Sequence, residues 1–539
     1  MIERIIISNY KGIRNADIVF NEETNVVVGN NGVGKSTLIE AMSLALGYGL
    51  SQLEITPYLF HSSTWDEFRN IQQLPEINIE VIFKDDESLS MYQGKNNSLK
   101  EDLVGIRLRI SFDEDYQDLF NKESTNCNYI PCEYYKIERY WFSQEVVKQL
   151  NVPYSLQIID STSPYFNSRT NQFVTKLIQN KLSDDENIQL KGGLRKTKEA
   201  FEGYSEIKNI NTHLNSKVKE IAENLSITVD LSTKSAWNAI MCPTVNTIPI
   251  EQIGLGEQCI LKTLLSIDKT AAADNRQSII IIEEPESHLS HTKMYELLKI
   301  LKDRISEQLF ITTHNSFVAN SLDLNNILIL NNSSTGLSST NINKSCLNLD
   351  SYKFFFKVCH YPTLRLALCK KAILIEGPTD EMVVLYHYKS KFDKHPFDDG
   401  IELISVDGVS FKHYIALAKA LNKKIAIITD NDTKDISEIK KLYNPDQSNS
   451  IGVYSELNTT LNSLEQSFVN KNLSQITLLS ETVRVIKHRN ENAETLVKFM
   501  TGNKTEWAYR LLDKITDIKV GIVAPDYIQN AINWIKEDE

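Results

Sequence analysis

The chain lacks several features that would have fixed its class at once. No apolar run approaches the roughly 20 residues that a bilayer span requires. The opening stretch, MIERIIISNYKGIRN, sets Glu3 and Arg4 inside an alternating strand pattern, unlike a secretory leader, so a cytoplasmic location is expected. There is no cationic excess. The 58 Lys and Arg face 70 Asp and Glu, a net charge of −12, which argues against a general basic coat for nucleic acid. A local basic groove with bound cations remains open. Seven cysteines are scattered. Cys127 and Cys132 are the nearest pair, and no second CxxC or adjacent histidine completes a zinc set, so reduced structural thiols are expected. No short-period repeat or extended low-complexity tract stands out.

What is present is an ordinary globular composition, 41% hydrophobic and 24% charged over 539 residues, enough for about two to four domains. Residues 1–28 read as two strands: IERIIISNY and, after a turn, ADIVF with NVVVG. The second runs directly into GNNGVGKST, residues 29–37, and then into a helical pattern, TLIEAMSLALGYGL. Gly29, Gly34, Lys35 and Ser36 have P-loop spacing. Backbone amides of Asn30, Asn31, Gly32 and Gly34 would face phosphate oxygens. Lys35 would reach the β- and γ-phosphates, and Ser36, followed by Thr37, would offer a hydroxyl to magnesium at the helix N-terminus.

A matching second half lies far downstream. SIIIIEEPESHLS is a four-isoleucine strand ending in Glu283 and Glu284. Glu283 would hold the magnesium and Glu284 would orient or deprotonate the attacking water. A further strand, QLFITTHNS, ends at His314, placed to sense the γ-phosphate or to serve as a structural strand-end histidine. Before these strands, IGLGEQCILKTLL sets Gly254, Gly256 and Gln258 ahead of a helix. This resembles the signature motif of ABC-type ATPases, in which a second subunit caps ATP. Leu255 stands where that motif carries a small hydroxyl residue, and Glu283 stands where Asp is commoner. The first departure leaves hydrolysis slow or the nucleotide structural or regulatory. Between the halves, 168–228 looks helical, either as a dimerisation arm or as helices packed on the ATPase. It is too short for a long coiled coil.

The polar stretch NNSSTGLSSTNINKSCL, 331–347, is the candidate linker. Beyond it, YKFFFKVCHYPTLRLALC is helical by pattern. KAILIEG, IELISVDG and KIAIITDND then alternate with helical segments, giving a parallel sheet whose ligands gather at the carboxyl strand ends. Glu376 and Asp380 end the first strand and open its helix. Asp430 and Asp432 end the third, two residues apart and so on one face if the strand continues. Clustered acids are unstable unless protons or divalent cations neutralise them. Asp407, at the end of the middle strand, is read as structural.

EGPTD with DND resembles the Toprim pattern of topoisomerases, primases and certain nucleases. A Toprim domain behind an ABC-type ATPase resembles the OLD (overcoming lysogenisation defect) family of ATP-dependent endonucleases, over essentially the whole chain. The resemblance implies an α/β protein: an ABC-type ATPase with a helical dimerisation insertion, followed by a Toprim parallel-sheet domain. The expected bounds are 1–165 and 236–345 for the ATPase, 166–235 for the insertion and 346–539 for the Toprim domain. It implies Mg2+ or Mn2+, two ions, at Glu376, Asp380, Asp430, Asp432 and Glu465, with Lys504 near the scissile phosphate. It also implies ATP with Mg2+ at Ser36, Glu283 and the P-loop, with Gly256 capping from the second copy. Glu465 otherwise reads as a solvated helix position. The implied activity is nucleotide-regulated, metal-dependent cleavage or nicking of DNA in antiphage defence by a homodimer or larger homo-oligomer. Within the family, the Gabija branch adds a UvrD-like helicase partner. The alternative is a non-cleaving DNA-binding ATPase scaffold of recombination or repair. A topoisomerase is weaker still, since the chain shows no breakage-reunion domain.

Overall fold

The structure is a computed structural model. It describes residues 1–123, 129–160, 178, 182–218, 227–228, 242–267, 277–287, 289–304, 307–322, 324–333, 336–341, 347–357, 361–406, 411–484, 492–514 and 521–537. The chain forms two compact units, one of residues 1–322 and 330–339, the other of 323–329 and 340–539.

The first unit is built on a mixed sheet. Ile2–Tyr10 lies between Ile13–Val19 and Ile77–Phe83, antiparallel to both. Ile77–Phe83 continues to Leu103–Phe112 and then to Tyr135–Trp141. The other run is parallel: Tyr154–Asp160, Gln277–Glu283, Gln308–Thr313 and Thr24–Val28, in that order. Ile279, Ile280, Ile281 and Ile282 are all buried, as expected of a parallel strand covered on both faces. The ATP-related segments therefore end side by side at one sheet edge. What read as one second strand in the opening 28 residues is two, Ile13–Val19 and Thr24–Val28.

The expected linker, 331–347, contains the division between the two units at 339/340, yet much of it is strand. Ile327–Ser333 and Gly336–Asn341 are strands, and Leu337 pairs in parallel with Ala16. Leu337 is buried, so one apolar anchor and strand pairing override a polar composition. In the insertion, Asp184–Gly203 and Ser205–Val218 are separate helices. Tyr204, at φ −61° and ψ 136°, breaks what the pattern joined. Ser183 and Glu186 form a reciprocal capping box at the first helix's start. The segment expected to be helical at 169–182 lies almost wholly outside the described residues.

The second unit carries a four-stranded sheet, ordered Ile401–Ser405, Lys371–Ile375, Lys424–Ile428, Ile451–Tyr454, with all pairs parallel. Helices Pro378–Phe392 and Asp526–Lys536 contribute Val383, Val384, Ile528 and Ile532 to a core shared with Ile373, Ile375, Ala426 and Ile428. The two central strands are the ones that end in the acids. No helix among the described residues is long and apolar enough to cross a membrane.

Candidate metal centre and nucleotide site

The carboxyl edge of the second unit's sheet gathers acids from neighbouring strands and helices. Glu376 follows Lys371–Ile375, and its Oε1 accepts from the Thr429 hydroxyl at 2.6 Å and the Asp430 amide at 2.9 Å. Asp380 sits in the first turn of Pro378–Phe392, where Oδ2 accepts from the Gly377 amide at 3.2 Å. Glu465, in the first turn of Leu464–Lys471, is only 2% exposed, which removes the solvated-helix reading.

The electrostatics tie these groups together. Burial first, and then Glu376 and Glu465, push Asp380 up to about 7. Burial, then Glu376, Asp380 and Glu465, push Asp430 up to about 8, with Lys504 opposing. Lys504 is the first residue of helix Lys504–Asp513 rather than lying ahead of it, and it is exposed. Four acids and one lysine thus act on one another at one edge.

Asp432 stands apart. The strand stops at Ile428, so the expected shared face with Asp430 does not form. Asp432 and Thr433 have φ of 47° and 66°, left-handed backbone that non-glycine residues rarely adopt. Asp432 is exposed and raises the Tyr443 phenol after burial and Glu376. Between the acids, Asn431 is 1% exposed. Its amide donates to the carbonyls of Glu456 at 3.1 Å, Asn458 at 3.0 Å and Leu461 at 3.2 Å. Its oxygen accepts from the Thr433 amide at 3.1 Å. One side chain ties the acidic loop to the loop after Ile451–Tyr454.

The donors are carboxylate oxygens, which suit Mg2+ or Mn2+ rather than thiolate-seeking ions. Among the described residues no three His, Cys, Asp or Glu groups converge to hold an ion. Part of the reason is local, since one oxygen each of Glu376 and Asp380 is turned onto backbone amides. Chemistry and charge fit a divalent cation; convergence requires side-chain rotation. Asp407 and Cys127 lie outside the described residues. Cys132, Cys242, Cys259 and Cys369 are free thiols.

In the first unit, Gly34 has φ 111° and Gly32 φ 77°, the backbone that lets this loop turn into helix Lys35–Ala45. Lys35 Nζ donates to the carbonyls of Gly29 at 2.8 Å and Asn30 at 3.3 Å. Burial lowers its pKa, against Glu284 and Glu286, which raise it. Asn30, Asn31, Gly32 and Ser36 are exposed at the loop, and Thr37 is half-buried. Glu283 ends its strand in register with Thr312 and Asp160. Glu284 turns out at φ 42°, its amide donating to the Thr312 carbonyl at 2.9 Å. Helix Leu255–Ile267 begins a residue after Gly254, so Gly256 and Gln258 lie inside it and not ahead of it.

Sequence reasoning missed Glu286. Its Oε1 accepts from Thr313 Oγ1 at 2.6 Å and from the His314 amide at 3.1 Å. His314 Nδ1 lies 3.4 Å from Glu286 and 3.7 Å from Glu284. It also missed Asn431, Glu456 and Tyr527. Tyr527 is buried, and its phenol is raised well above the ordinary value by burial, then by Asp430, Asp380, Glu456 and Glu376. The available signal was EEPE, a third acid two residues past the strand-end pair.

Comparison with known proteins agrees with this layout. Residues 1–319 match the family described as AAA ATPase domain. Residues 368–432 match the TOPRIM domain of overcoming lysogenization defect protein-like sequences. Endonuclease GajA of Bacillus cereus (strain HuB5-5) is 23% identical over 416 residues, 60% of this chain and 60% of that protein. The DNA double-strand break repair Rad50 ATPase of Methanopyrus kandleri is 50% identical over 46 residues, 8% of this chain and 5% of its own length. Among solved structures, the C-terminal region of the Burkholderia pseudomallei OLD protein is 21% identical, covers 31% of this chain and 97% of that one, and has a TM-score of 0.25.

Proposed function

Because the chain belongs to the AAA ATPase domain family and carries an OLD-like Toprim domain, we propose that it is a nucleotide-regulated, divalent-metal-dependent DNA endonuclease or nickase. The observation that carries this reading is the burial of Glu376, Asp380, Asp430 and Glu465 together at one sheet edge, where burial first and then their mutual charge push Asp380 up to about 7 and Asp430 up to about 8. Burying like charges is costly, and such clusters recur where a cation or a reacting group offsets them.

In this reading Glu376, Asp380, Asp430 and Glu465 hold the ions, with Asp432 at the exposed rim. Bound there, Mg2+ or Mn2+ would supply an activated water and stabilise the leaving oxygen. Asn431 fixes the loop on which Asp430 rides. Lys504, whose charge already reaches Asp430, would offset negative charge developing on the phosphate. In the nucleotide site, Lys35 would exchange the Gly29 and Asn30 carbonyls for phosphate oxygens. Ser36 and Glu283 would hold magnesium, and Glu284 and His314 would face the terminal phosphate.

The same reading includes a role in antiphage defence, a cytoplasmic location and a homodimer or larger homo-oligomer that completes the ATP site through Gly256 and its neighbours. The helices Asp184–Gly203 and Ser205–Val218 are the candidate dimerisation arm, and a UvrD-like helicase is the candidate partner. Light scattering with and without ATP tests the assembly, and a monomer in both conditions counts against it.

A second reading is a non-cleaving DNA-binding scaffold, to which the lack of a converging acid group among the described residues lends support. One experiment separates the two. Supercoiled plasmid with Mg2+ or Mn2+, across nucleotide conditions, is nicked or linearised if the first reading holds. Plasmid that stays intact throughout supports the scaffold.

A further inference from the structure

Glu286 occupies a position that the nucleotide chemistry above leaves unexplained. It lies in the short turn Pro285–Ser287, directly after the strand-end acids. Its side chain is 7% exposed, deep for a carboxylate. Oε1 grips two consecutive residues, through the Thr313 hydroxyl and the His314 amide. Thr313 Oγ1 in turn accepts from the Asn315 amide at 2.9 Å. His314 is therefore held from both sides by a network that begins at Glu286. The other oxygen, Oε2, is buried and accepts no hydrogen bond among the described residues. A buried carboxylate oxygen without a donor is costly and calls for a reason. The His314 ring lies beside the engaged oxygen, its Nδ1 3.4 Å from Oε1, long for a hydrogen bond. A small ring rotation would engage the carboxylate, fixing Nδ1 as the donor and leaving Nε2 on the far side of the ring.

We propose that Glu286 is a positioning residue that sets the backbone and ring of His314, so that the nucleotide site distinguishes ATP from ADP. The proposal rests on reading Lys35 and His314 as one nucleotide site. Glu286 itself need not touch the nucleotide. The terminal phosphate is what ATP has and ADP lacks, so a residue acting only through its sensor affects ATP alone. The carboxylate holds the sensor in place before nucleotide arrives, and less ordering is left to be done on binding.

The test measures Kd for ATP and ADP, each with magnesium, on the full chain by titration calorimetry. Wild type should prefer ATP. Glu286→Ala should lose about 10-fold of that preference, equivalent to ~1.4 kcal/mol, with ADP affinity within about 2-fold of wild type. Glu286→Gln keeps the acceptor for Thr313 and the His314 amide but removes the charge beside the ring. It should fold normally and lose roughly 3-fold. Glu286→Ala in a His314→Ala background should cost nothing further, since the residue acts through the histidine. The proposal is overturned if either Glu286 variant keeps the full preference. Equal weakening of both nucleotides, or a loss that adds to that of His314→Ala, would also overturn it by marking a merely structural role. Wild-type protein that binds neither nucleotide overturns the underlying site reading as well, which is a different result from an unaltered variant.

Discussion

The Glu376 carboxylate accepts a hydrogen bond from the Asp430 backbone amide at 2.9 Å, joining the ends of two adjacent parallel strands. The contact makes Glu376 both a charge in the acidic cluster and a brace for the neighbouring loop. Glu376→Ala should therefore reduce plasmid cleavage by at least ~100-fold, as expected when a group engaged at the reacting centre is removed. Glu376→Gln keeps an oxygen for the Asp430 amide and should remain as thermally stable as wild type while being equally inactive. A Glu376→Gln protein that cuts normally would rule out a metal-holding role.

The acids also set a pH dependence. Asp430 and Asp380 titrate near 8 and 7 in the fold, well above an ordinary aspartate. Folding therefore favours their protonated forms. Their stabilising contribution is complete below about pH 4, the value expected for the unfolded chain, and is lost as pH rises through 7 and 8. In chelator-treated protein, melting temperature should fall across that window. Mg2+ or Mn2+ should restore it, increasingly so at higher pH, because only the ionised carboxylates bind metal. Thermal melts at pH 6 and pH 8.5, with EDTA or with Mn2+, give the answer. A metal effect equal at both pH values would contradict it.

Asn431 is fully committed, donating to three carbonyls and accepting from one amide. Asn431→Ala leaves those buried groups short of partners and should cost about 2–3 kcal/mol. Cleavage should fall by roughly 10-fold or more through displacement of Asp430. Excess Mn2+ should recover part of the activity, whereas it should do nothing for Glu376→Ala. Urea melts and a metal titration of cleavage separate the stability effect from the positioning effect.

At the other site, Lys35 gives its charge to loop carbonyls. Lys35→Ala should weaken ATP binding by at least ~10-fold, the loss of one charge-assisted contact of ~1.5–3 kcal/mol. Plasmid cleavage by this variant shows what occupancy does. Faster cutting means that ATP restrains the acids, and slower cutting means that it licenses them.

Much of this layout was legible because strands ending in function leave a plain signal. KAILIEG and KIAIITDND announced Glu376 and Asp430 through unbroken apolar runs, and GNNGVGKST announced its loop through glycine and lysine spacing. The rest depended on what the backbone does just past a strand. Nothing in TDND says that the chain leaves its extended path after Ile428 and turns left-handed at Asp432. Nor does EEPES reveal that the acid after Pro285 faces inward to grip Thr313 and His314. Asn431 and Tyr527 were hidden for a different reason. Their partners lie at Glu456 and Asn458, or at Asp380 and Glu376, and only tertiary folding brings those together. The strand inside the expected linker was hidden for the opposite reason: a polar composition masked one buried leucine, Leu337, that pins it.

The consecutive left-handed residues Asp432 and Thr433 carry a consequence for sequence change. A side chain on such backbone costs about 1–3 kcal/mol, and glycine would relieve it. A search for more heat-resistant variants should therefore be drawn to Asp432→Gly, and would pay for it with a carboxylate at the mouth of the acidic cluster. The two selections pull against each other at this one loop. Variants chosen for endurance and variants chosen for cutting should part company there first.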